Sequence, residues 1–331
     1  MTTPKLACSA IDDAYLWPWM IMIHSAHKNS GNVKVKYLLA NINEILSPDA
    51  QDLARNFAAE IGADLEVRNF TTNLKSQYEF QFNITVYARI IMMDEFDQDF
   101  LWLDSDLLLL PGWSKIFEEP GDYESSDCVF HAVKDIERTQ KSLQNEGNAA
   151  YRAAGDRYFN TGVLLASPEN WRKMPESKGW KELASDLKGN ALKYPDQDVL
   201  NLLGAKSTSL LPSGYNTIVG NSTGLSDPLY IKHYAGSPKP WTMNQPSKEF
   251  LLTIQGANYF REEHSIMTLR DAFTEYPAYW EAEIELLDLL KRQNSDLYRR
   301  IEENRSRNIR SVDLASRVKT SAIKFLARKF R

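Results

Sequence analysis

Two aspartates separated by one residue stand at the end of an apolar segment. In FLWLDSD, the period of an extended strand sends the side chains of Asp104 and Asp106 to the same face. Two carboxylates this close repel each other unless one is protonated or a cation lies between them, and hard oxygen ligands suit Mg²⁺ or Mn²⁺. The same spacing recurs at 97–99 and 196–198, but the first of these lies in a turn, where solvated carboxylates explain it better. The context of Asp104 and Asp106 therefore predicts a divalent metal site.

The segment YIKHYAGSPKPW offers a third metal ligand. His233 follows a short apolar strand, and Gly236 and Lys239 come soon after it, providing flexible backbone and a cation that can meet phosphate. An imidazole added to two carboxylates favours Mn²⁺ over Mg²⁺. A buried structural histidine is the alternative for His233, so the whole segment carries more weight than the imidazole alone.

Polar residues also follow the first strand pattern and interrupt two later apolar runs. AIDDAY places Asp12 and Tyr15 at the nucleotide-binding edge of an α/β sheet, although a core aromatic explains Tyr15 equally well. Asn160 interrupts FNTGVLLA, and Asp196-Gln197 opens a helix; buried polar groups need partners, which sugar hydroxyls would supply. Neither GxGxxG nor GxxxxGK[ST] occurs, so a nucleotide would be held through its base, its ribose and a metal on its phosphates.

Strand patterns alternate with helix-length segments as far as about residue 245. Ser47 as N-cap and Pro48 in the first turn mark a helix over 48–61. Further helices are predicted at 82–96, 177–187 and 198–203, and strands at 5–11, 34–40, 64–68, 100–103, 128–133, 162–166, 209–211 and 230–234. The alternation predicts an α/β fold with βαβ units and a mainly parallel, Rossmann-like sheet.

The composition is that of a globular protein. The chain has 331 residues, of which 43% are hydrophobic and 25% charged, and this excludes disordered, collagen-like and repeat classes. Two cysteines, Cys8 and Cys128, are too few for a disulfide framework or a zinc cluster and favour a reducing, cytoplasmic setting. The longest uncharged apolar run has eight residues, whereas a membrane span needs about 20, so neither a transmembrane helix nor a signal peptide is expected.

Charge is distributed unevenly along the chain. The net charge is −5, but residues 291–331 carry 13 Lys and Arg against 4 Asp and Glu. Residues 312–331 predict a basic amphipathic helix that suits an anionic membrane surface, with a purely structural end as the alternative. The acidic body argues against nucleic acid as a partner.

Helical periodicity without strand patterns characterises the chain from about residue 279. Five residues follow the spacing of a coiled-coil seam and predict a homodimer through residues 284–304, while a helix packed on its own domain explains the same spacing. These residues are Leu287, Leu290, Asn294, Leu297 and Ile301.

Taken in order, the motifs resemble those of the retaining glycosyltransferases of family 8, which include glycogenin and the bacterial lipopolysaccharide galactosyl- and glucosyltransferases. The series runs AxDDxY, YAR at 87–89, LDSD, FNTG, DQD and HxxGxxKPW. The resemblance implies one nucleotide-sugar-binding domain of the GT-A type over 1–245, which a connecting segment over 246–278 and a helical basic extension over 279–331 would follow. It also implies transfer of glucose or galactose from a UDP-sugar, usually with Mn²⁺ and with Mg²⁺ as the other candidate, to a glycan, glycolipid or cell-surface polysaccharide.

The resemblance further implies roles for individual residues. Asp104, Asp106 and His233 resemble the metal ligands, and the residues around the UDP would be Asp12 and Tyr15 at uracil, Ser105 and Asp104 at the ribose, and Gly236 and Lys239 at the diphosphate. Those around the donor hexose would be Arg89, Asp135, Asn160, Asp196 and Gln197. Of these, Gln197, Asp135 and Asp196 are the catalytic candidates, and an amide at 197 favours same-face substitution, since it is a poor nucleophile. Thr161 departs from the family, which commonly has Ala or Ser there.

Two other functions stay open at this point. A nucleotide-sugar-binding scaffold protein would keep the donor site without transfer, and only a measurement of activity separates it from the enzyme. A metal-dependent hydrolase or nucleotidyltransferase also uses paired aspartates, but it leaves FNTG and HxxGxxKPW unexplained. The expected location is the cytoplasm, with peripheral binding to the inner face of the plasma membrane if residues 312–331 contact lipid.

Overall fold

Two β-sheets and the helices that cover them make up the structure, a computed structural model that describes residues 4–74, 84–118, 127–187, 189–220, 228–236, 239–242 and 269–307. The strands are β1 Lys5–Ala10, β2 Val35–Ile42, β3 Asp64–Phe70, β4 Phe100–Leu103, β5 Leu107–Leu109, β6 Phe130–Lys134, β7 Phe159–Ala166, β8 Thr208–Leu210, β9 Thr217–Ile218 and β10 Ile231–His233. The helices are α1 Leu16–Lys28, α2 Pro48–Glu60, α3 Ala88–Glu95, α4 Glu137–Asn145, α5 Ala149–Ala154, α6 Pro168–Lys173, α7 Trp180–Ser185, α8 Pro195–Gly204 and α9 Leu269–Gln293. Residues 295–307 form one more helix.

The larger sheet has seven strands in the order β3-β2-β1-β4-β7-β6-β8. Strand β7 pairs antiparallel with both β4 and β6, and the other pairs are parallel. The predicted α/β fold with a mainly parallel sheet is therefore confirmed. A second sheet holds β5, β10 and β9 in that order.

The reversed direction of β7 brings its beginning to the carboxyl ends of its two neighbours. The backbone N–H of Asp104, just after β4, donates to the carbonyl of Gly162 over 2.9 Å, and that of Asp135, just after β6, donates to the carbonyl of Tyr158 over 2.9 Å. In an open α/β sheet, ligands bind at the carboxyl ends of the strands. The FNTG segment thus lies at the ligand-binding edge although it begins a strand.

Side chains of the larger sheet alternate between two cores, as the pleat of a strand requires. In β4, Phe100 and Trp102 pack under α3 and α6 to α8, whereas Leu101 and Leu103 pack under α1, α2 and α9. Burial on both faces explains why FLWL is a continuous apolar run.

Two of the predicted helices are shorter in the structure. The segment 82–96 becomes a 3₁₀ turn, Ile84–Tyr87, followed by α3, and the segment 177–187 divides into a 3₁₀ turn, Pro175–Gly179, and α7. Cys8 lies in β1 and Cys128 just before β6, both buried and neither in a disulfide. Among the described residues, no helix is long and apolar enough to cross a membrane.

The helices after residue 269 pack on the domain itself. Helix α9 begins ten residues before the predicted start of the extension, and Asn294 interrupts the periodicity because its side-chain oxygen accepts the backbone N–H of Leu297 and caps the next helix. Leu290, Leu297 and Ile301 are buried in the core that α1 shares. The prediction of a homodimer through 284–304 is therefore corrected, because the apolar residues of its seam pack against the core of their own domain. Residues 312–331 lie outside the described residues, and their membrane contact stays a prediction.

Shortening Leu290 tests this packing. The side chain is fully buried, so we expect Leu290→Ala to lower the free energy of unfolding by about 2–5 kcal/mol. The matched control is Ile284→Ala on the same helix, where the side chain is 44% exposed and the change should be small. Denaturant unfolding at two protein concentrations provides the measurement. A midpoint that rises with concentration in the unmodified protein and loses this dependence in Leu290→Ala would restore the dimer seam.

Candidate functional site

Two carboxylates and an imidazole converge at the carboxyl edge of β4. Asp104 and Asp106 flank the turn between β4 and β5, and His233 reaches them because β10 pairs antiparallel with β5, with His233 opposite Leu107. One ligand atom from each side chain lies within 4.8 Å of the others. Among the described residues, this is the one group of three His, Cys, Asp or Glu side chains that could hold a metal ion.

The orientation of His233 is fixed from its outer side. Its Nδ1 lies 2.9 Å from the side-chain oxygen of Asn216, whose amide nitrogen donates to Asn160. The oxygen of Asn216 therefore accepts, which puts the imidazole proton on Nδ1 and turns the Nε2 lone pair towards Asp106, 3.2 Å away. Two electron-pair donors face each other stably only with a proton or a cation between them, so the donor set fits a divalent ion of the Mn²⁺ or Mg²⁺ class.

Two cations offset the charge of the aspartates. Lys239 lies 2.5 Å from Asp106, and Arg89 lies 2.7 Å from Asp104. Burial alone would raise the pKa of Asp106, but the Lys239 ammonium beside it holds that pKa well below its usual range. Burial raises the pKa of Asp104 in spite of Arg89. Asp104 gives only one carboxylate oxygen to Arg89 and Trp102, and its second oxygen has no recorded donor among the described residues.

Arg89 joins the metal-ligand cluster to the next polar group. Its Nη1 donates to the carbonyl of Thr161 over 2.6 Å and lies 2.9 Å from Asp196 Oδ2, while its guanidinium stacks over Trp102. The hydroxyl of Thr161 donates to the same Asp196 oxygen over 3.0 Å. Thr161 thus fixes the rotation of the Asp196 carboxylate. The other oxygen of Asp196, Oδ1, accepts from no donor in the described part of the chain.

Amide side chains continue the network towards Asp135. Asn160 donates from Nδ2 to Gln197 Oε1 over 3.0 Å, and Gln197 donates from Nε2 to Asp135 Oδ2 over 2.8 Å. Gln197 also donates to the hydroxyl of Tyr158 and accepts a weak bond from the N–H of Thr161. Burial raises the pKa of Asp135 to about 6, although the N–H of Ile136 and Gln197 favour its charged form.

Asp12 and Tyr15 lie at the end of β1. The carboxylate of Asp12 accepts the N–H groups of Ala14 and Tyr15 and so caps a short 3₁₀ turn. Tyr15 is 38% exposed and meets Trp241 edge to face, so it is not the core aromatic of the alternative interpretation.

Ser105 and Gly236 are the two remaining residues expected to contact the nucleotide. Ser105 is half-buried in the turn between Asp104 and Asp106. Gly236 has a φ of 78°, a left-handed conformation that favours glycine.

Several residues of the site carried no recognisable sequence pattern. Asn216 orients His233, and Trp102 donates to Asp104 over 2.7 Å from inside the FLWL run. Tyr158 donates to Asp198, a fully buried carboxylate that also accepts from Asn148. Asn216, at the end of SGYN, and Tyr158, just before FNTG, are polar residues that the sequence shows near the motifs. Their partners are distant in the sequence, so residue spacing does not reveal their roles.

The model of the family described as Glycosyl transferase family 8 matches residues 7–245. The chain is 26% identical over 205 residues to a lipopolysaccharide 1,2-glucosyltransferase of Escherichia coli, covering 57% of this chain and 56% of that protein. It is 31% identical over 155 residues to a lipopolysaccharide 1,2-glucosyltransferase of Escherichia coli strain K12, covering 43% of each. The chain therefore spans about half the length of these curated relatives.

Solved structures share the fold. The galactosyltransferase LgtC, in complex with donor and acceptor sugar analogs, aligns with a TM-score of 0.57 at 19% identity over 87% of this chain and 96% of its own. The bifunctional glycosyltransferase WbbM, in its apo form, aligns with a TM-score of 0.57 at 17% identity over 73% of this chain and 47% of its own. At these identities the likeness shows a GT-A fold and no more.

Gly162 provides a test of the cation site. A Cβ at this position would lie 2.3 Å from Cε1 of His233, so Gly162→Ala must displace the imidazole. We expect Mn²⁺ affinity, measured by titration with electron paramagnetic resonance, to fall about 10-fold or more, as when the support of a metal ligand is lost. Gly179→Ala is the control, because a Cβ there meets nothing within 4 Å. Equal Mn²⁺ affinity in both variants would show that His233 is not a ligand.

Proposed function

The chain belongs to glycosyl transferase family 8, and on that premise we propose that it transfers a hexose, glucose or galactose, from a UDP-sugar with retention of configuration. The observation that carries the proposal is the convergence of Asp104, Asp106 and His233 within 4.8 Å at the carboxyl edge of the sheet. Beside it lies Lys239, a cation that can meet phosphate. A metal-dependent hydrolase would need the carboxylates but not the polar network beyond Arg89.

The donor would lie across the edge from Tyr15 to Asp135. Asp104, Asp106 and His233 would hold Mn²⁺ or Mg²⁺, which when bound supplies positive charge to the diphosphate. Lys239 donates to Asp106 and to the carbonyl of Tyr234, so its ammonium group is held beside the carboxylates before any ligand arrives. Burial lowers the pKa of Lys239, but Asp106 more than offsets this and raises it, so the side chain stays charged. A preorganised cation stabilises the charge that develops on the leaving diphosphate.

The hexose would lie against the network around Arg89. One oxygen of Asp196 contacts Arg89 and Thr161, and the other, which accepts from no donor among the described residues, is proposed to accept a sugar hydroxyl. The side-chain oxygen of Asn160 accepts from Gly162 and Asn216, and its side-chain nitrogen donates to Gln197. These three bonds hold the amide in one orientation at the wall of the proposed pocket. Hydroxyl stereochemistry is discriminated by such fixed acceptors.

Retention of configuration is proposed to proceed by same-face substitution. Both hydrogens of the Gln197 amide nitrogen are engaged, by Asp135 and Tyr158, and its oxygen accepts from Asn160. This saturation supports Gln197 as a fixed dipole that stabilises positive charge at the anomeric carbon, not as a nucleophile. The departing phosphate oxygen would then accept the proton of the acceptor hydroxyl. A hexose covalently attached to Asp135, Asp196 or Gln197 in a mass spectrum would contradict this mechanism.

A groove beside Asp135 is the proposed place for the acceptor. It has a volume of about 330 Å³ and is lined by both polar and apolar side chains, among them Gln140, Thr217 and Ile136. The curated relatives are lipopolysaccharide 1,2-glucosyltransferases. We therefore propose a glycan or glycolipid of the cell surface as the acceptor, with lipopolysaccharide the first to try.

Release of UDP from a panel of UDP-sugars, with Mn²⁺ or with EDTA and without acceptor, tests the function. We expect metal-dependent release from one UDP-hexose. In Asp104→Asn/Asp106→Asn we expect a loss on the order of 100-fold or more, because this variant lacks two carboxylates that would hold the ion whose positive charge stabilises the diphosphate. Asp97→Asn/Asp99→Asn has the same spacing in an exposed turn and should keep full activity.

Two results would contradict the proposal. Equal release by the two double variants would show that the site lies elsewhere. Donor binding by calorimetry without release, with or without candidate acceptors, would favour a nucleotide-sugar-binding scaffold.

Residues 312–331 are proposed to bind an anionic membrane surface. The sequence pattern alone supports this, since apolar Leu314, Val318, Phe325 and Leu326 alternate with basic residues. We expect the full chain, but not a variant ending at residue 311, to sediment with vesicles that contain anionic lipid. Vesicles of neutral lipid should retain neither, since part of the attraction is electrostatic. Equal sedimentation of both proteins would exclude the segment.

A further inference from the structure

Helix α9 lies beyond residues 7–245, which the family model matches, yet it contacts the segment that carries His233 and Lys239. Strand β10 is only three residues long and belongs to a three-stranded sheet of short strands. Small sheets need packing from another element to be stable. For this sheet, part of that packing comes from α9.

The first contact holds β10. Lys232 lies 2.7 Å from Glu275 of α9, and both side chains are mostly buried, with 15% and 12% exposed. Tyr234, just after the strand, donates from its hydroxyl to the carbonyl of Glu275 over 3.2 Å. These two bonds flank His233 on the chain, so α9 holds the side chains of the residues on both sides of the imidazole.

The second contact holds the neighbour of Lys239. Trp280 of α9 donates from its indole nitrogen to the carbonyl of Pro240 over 3.1 Å. Lys239 itself reaches Asp106 and the carbonyl of Tyr234, and its ammonium lies 5.5 Å from the ring of Trp241. The position of this ammonium therefore depends on a backbone that α9 holds at Pro240.

The third contact is an aromatic cluster that links α9 to the 3₁₀ turn after β1. The ring of Tyr279 packs on Trp241 with centroids 5.7 Å apart, and Trp241 meets Tyr15 with centroids 5.8 Å apart. Tyr234 lies edge to face against Tyr279 at 5.2 Å. The rings occupy the space between α9 and the edge where the nucleotide would lie.

We propose that α9 is part of the donor site, with Trp280 and Glu275 as positioning residues that set the affinity for the diphosphate of a nucleoside diphosphate. This inference rests on the proposed function. Trp280 acts on Lys239 through Pro240 and does not touch the metal ligands, so it governs binding of UDP and not binding of the ion. The donor site accordingly extends past the region that the family has in common.

Trp280→Phe is the main test, because it keeps an aromatic ring and removes only the indole N–H. In calorimetry with saturating Mn²⁺, we expect the Kd for UDP to rise roughly 3- to 10-fold, the effect of one lost hydrogen bond, while the Kd for Mn²⁺ alone stays unchanged. Trp113→Phe is the matched control. Its indole donates to the carbonyl of Ala26 over 3.0 Å, away from the site, so the substitution should lower thermal stability without changing the Kd for UDP.

Each outcome decides the matter. An unchanged Kd for UDP in Trp280→Phe, or a parallel weakening of UDP and Mn²⁺ binding, would overturn the inference and leave the proposed function standing. Failure of the unmodified protein to bind UDP would overturn both. If Trp280→Phe does not unfold cooperatively, Glu275→Gln replaces it, because it removes the charge opposite Lys232 at nearly constant shape. Because Glu275 holds the residues that flank His233, the Kd for Mn²⁺ is expected to rise as well in this variant; a raised Kd for UDP supports the inference and an unchanged one overturns it.

Discussion

A chain of hydrogen bonds that runs in one direction from His233 to Asp135 determines the arrangement of the site. His233 donates to Asn216, Asn216 to Asn160, Asn160 to Gln197 and Gln197 to Asp135, over 2.9, 2.9, 3.0 and 2.8 Å. An ionised carboxylate only accepts, so Asp135 fixes the direction of every amide before it. Reversing any one amide would break two bonds, each worth about 1 kcal/mol and more when a buried group is left unpaired. The cluster of Asp104, Asp106 and His233 and the polar group around Asp135 therefore belong to one network.

The network ends at the carboxylate of Asp135, whose ionisation is disfavoured by burial. The pKa of Asp135 is raised from 3.8 to about 6, because desolvation outweighs the two N–H groups that favour the charged form. A carboxyl whose folded pKa lies above its unfolded value destabilises the fold once ionised. Stability is lost as the pH rises between the two values, by an amount on the order of 3 kcal/mol. Above pH 6 the protein keeps a directional network at that cost.

The sequence allowed the fold class and most of the polar residues at the edge to be predicted, because each follows a strand or opens a helix. Asp104, Asp106 and Asp196 could be found in this way. Asn216 could not, since its role depends on Asn160, 56 residues before it, and on the direction of β7. The seam of Leu290 and Leu297 was ambiguous for another reason: an apolar stripe at helical spacing is the same whether it faces a second chain or its own core. The capping role of Asn294 resolves it, and capping depends on the neighbouring backbone.

The residues of the site come from two sheets of unequal size, one of seven strands and one of three. Asp104, Asn160 and Asp135 lie on or next to central strands of the seven-stranded sheet, whereas His233 is the last residue of a three-residue strand of the small sheet. A side chain is positioned only as well as the backbone beneath it, so the weaker half must take its rigidity from outside. Gly162 allows His233 to approach the large sheet closely, and Asn216 ties it to Asn160. Helix α9 supplies further support from the far side through Glu275, Tyr279 and Trp280, which contact the segment around His233 and Lys239.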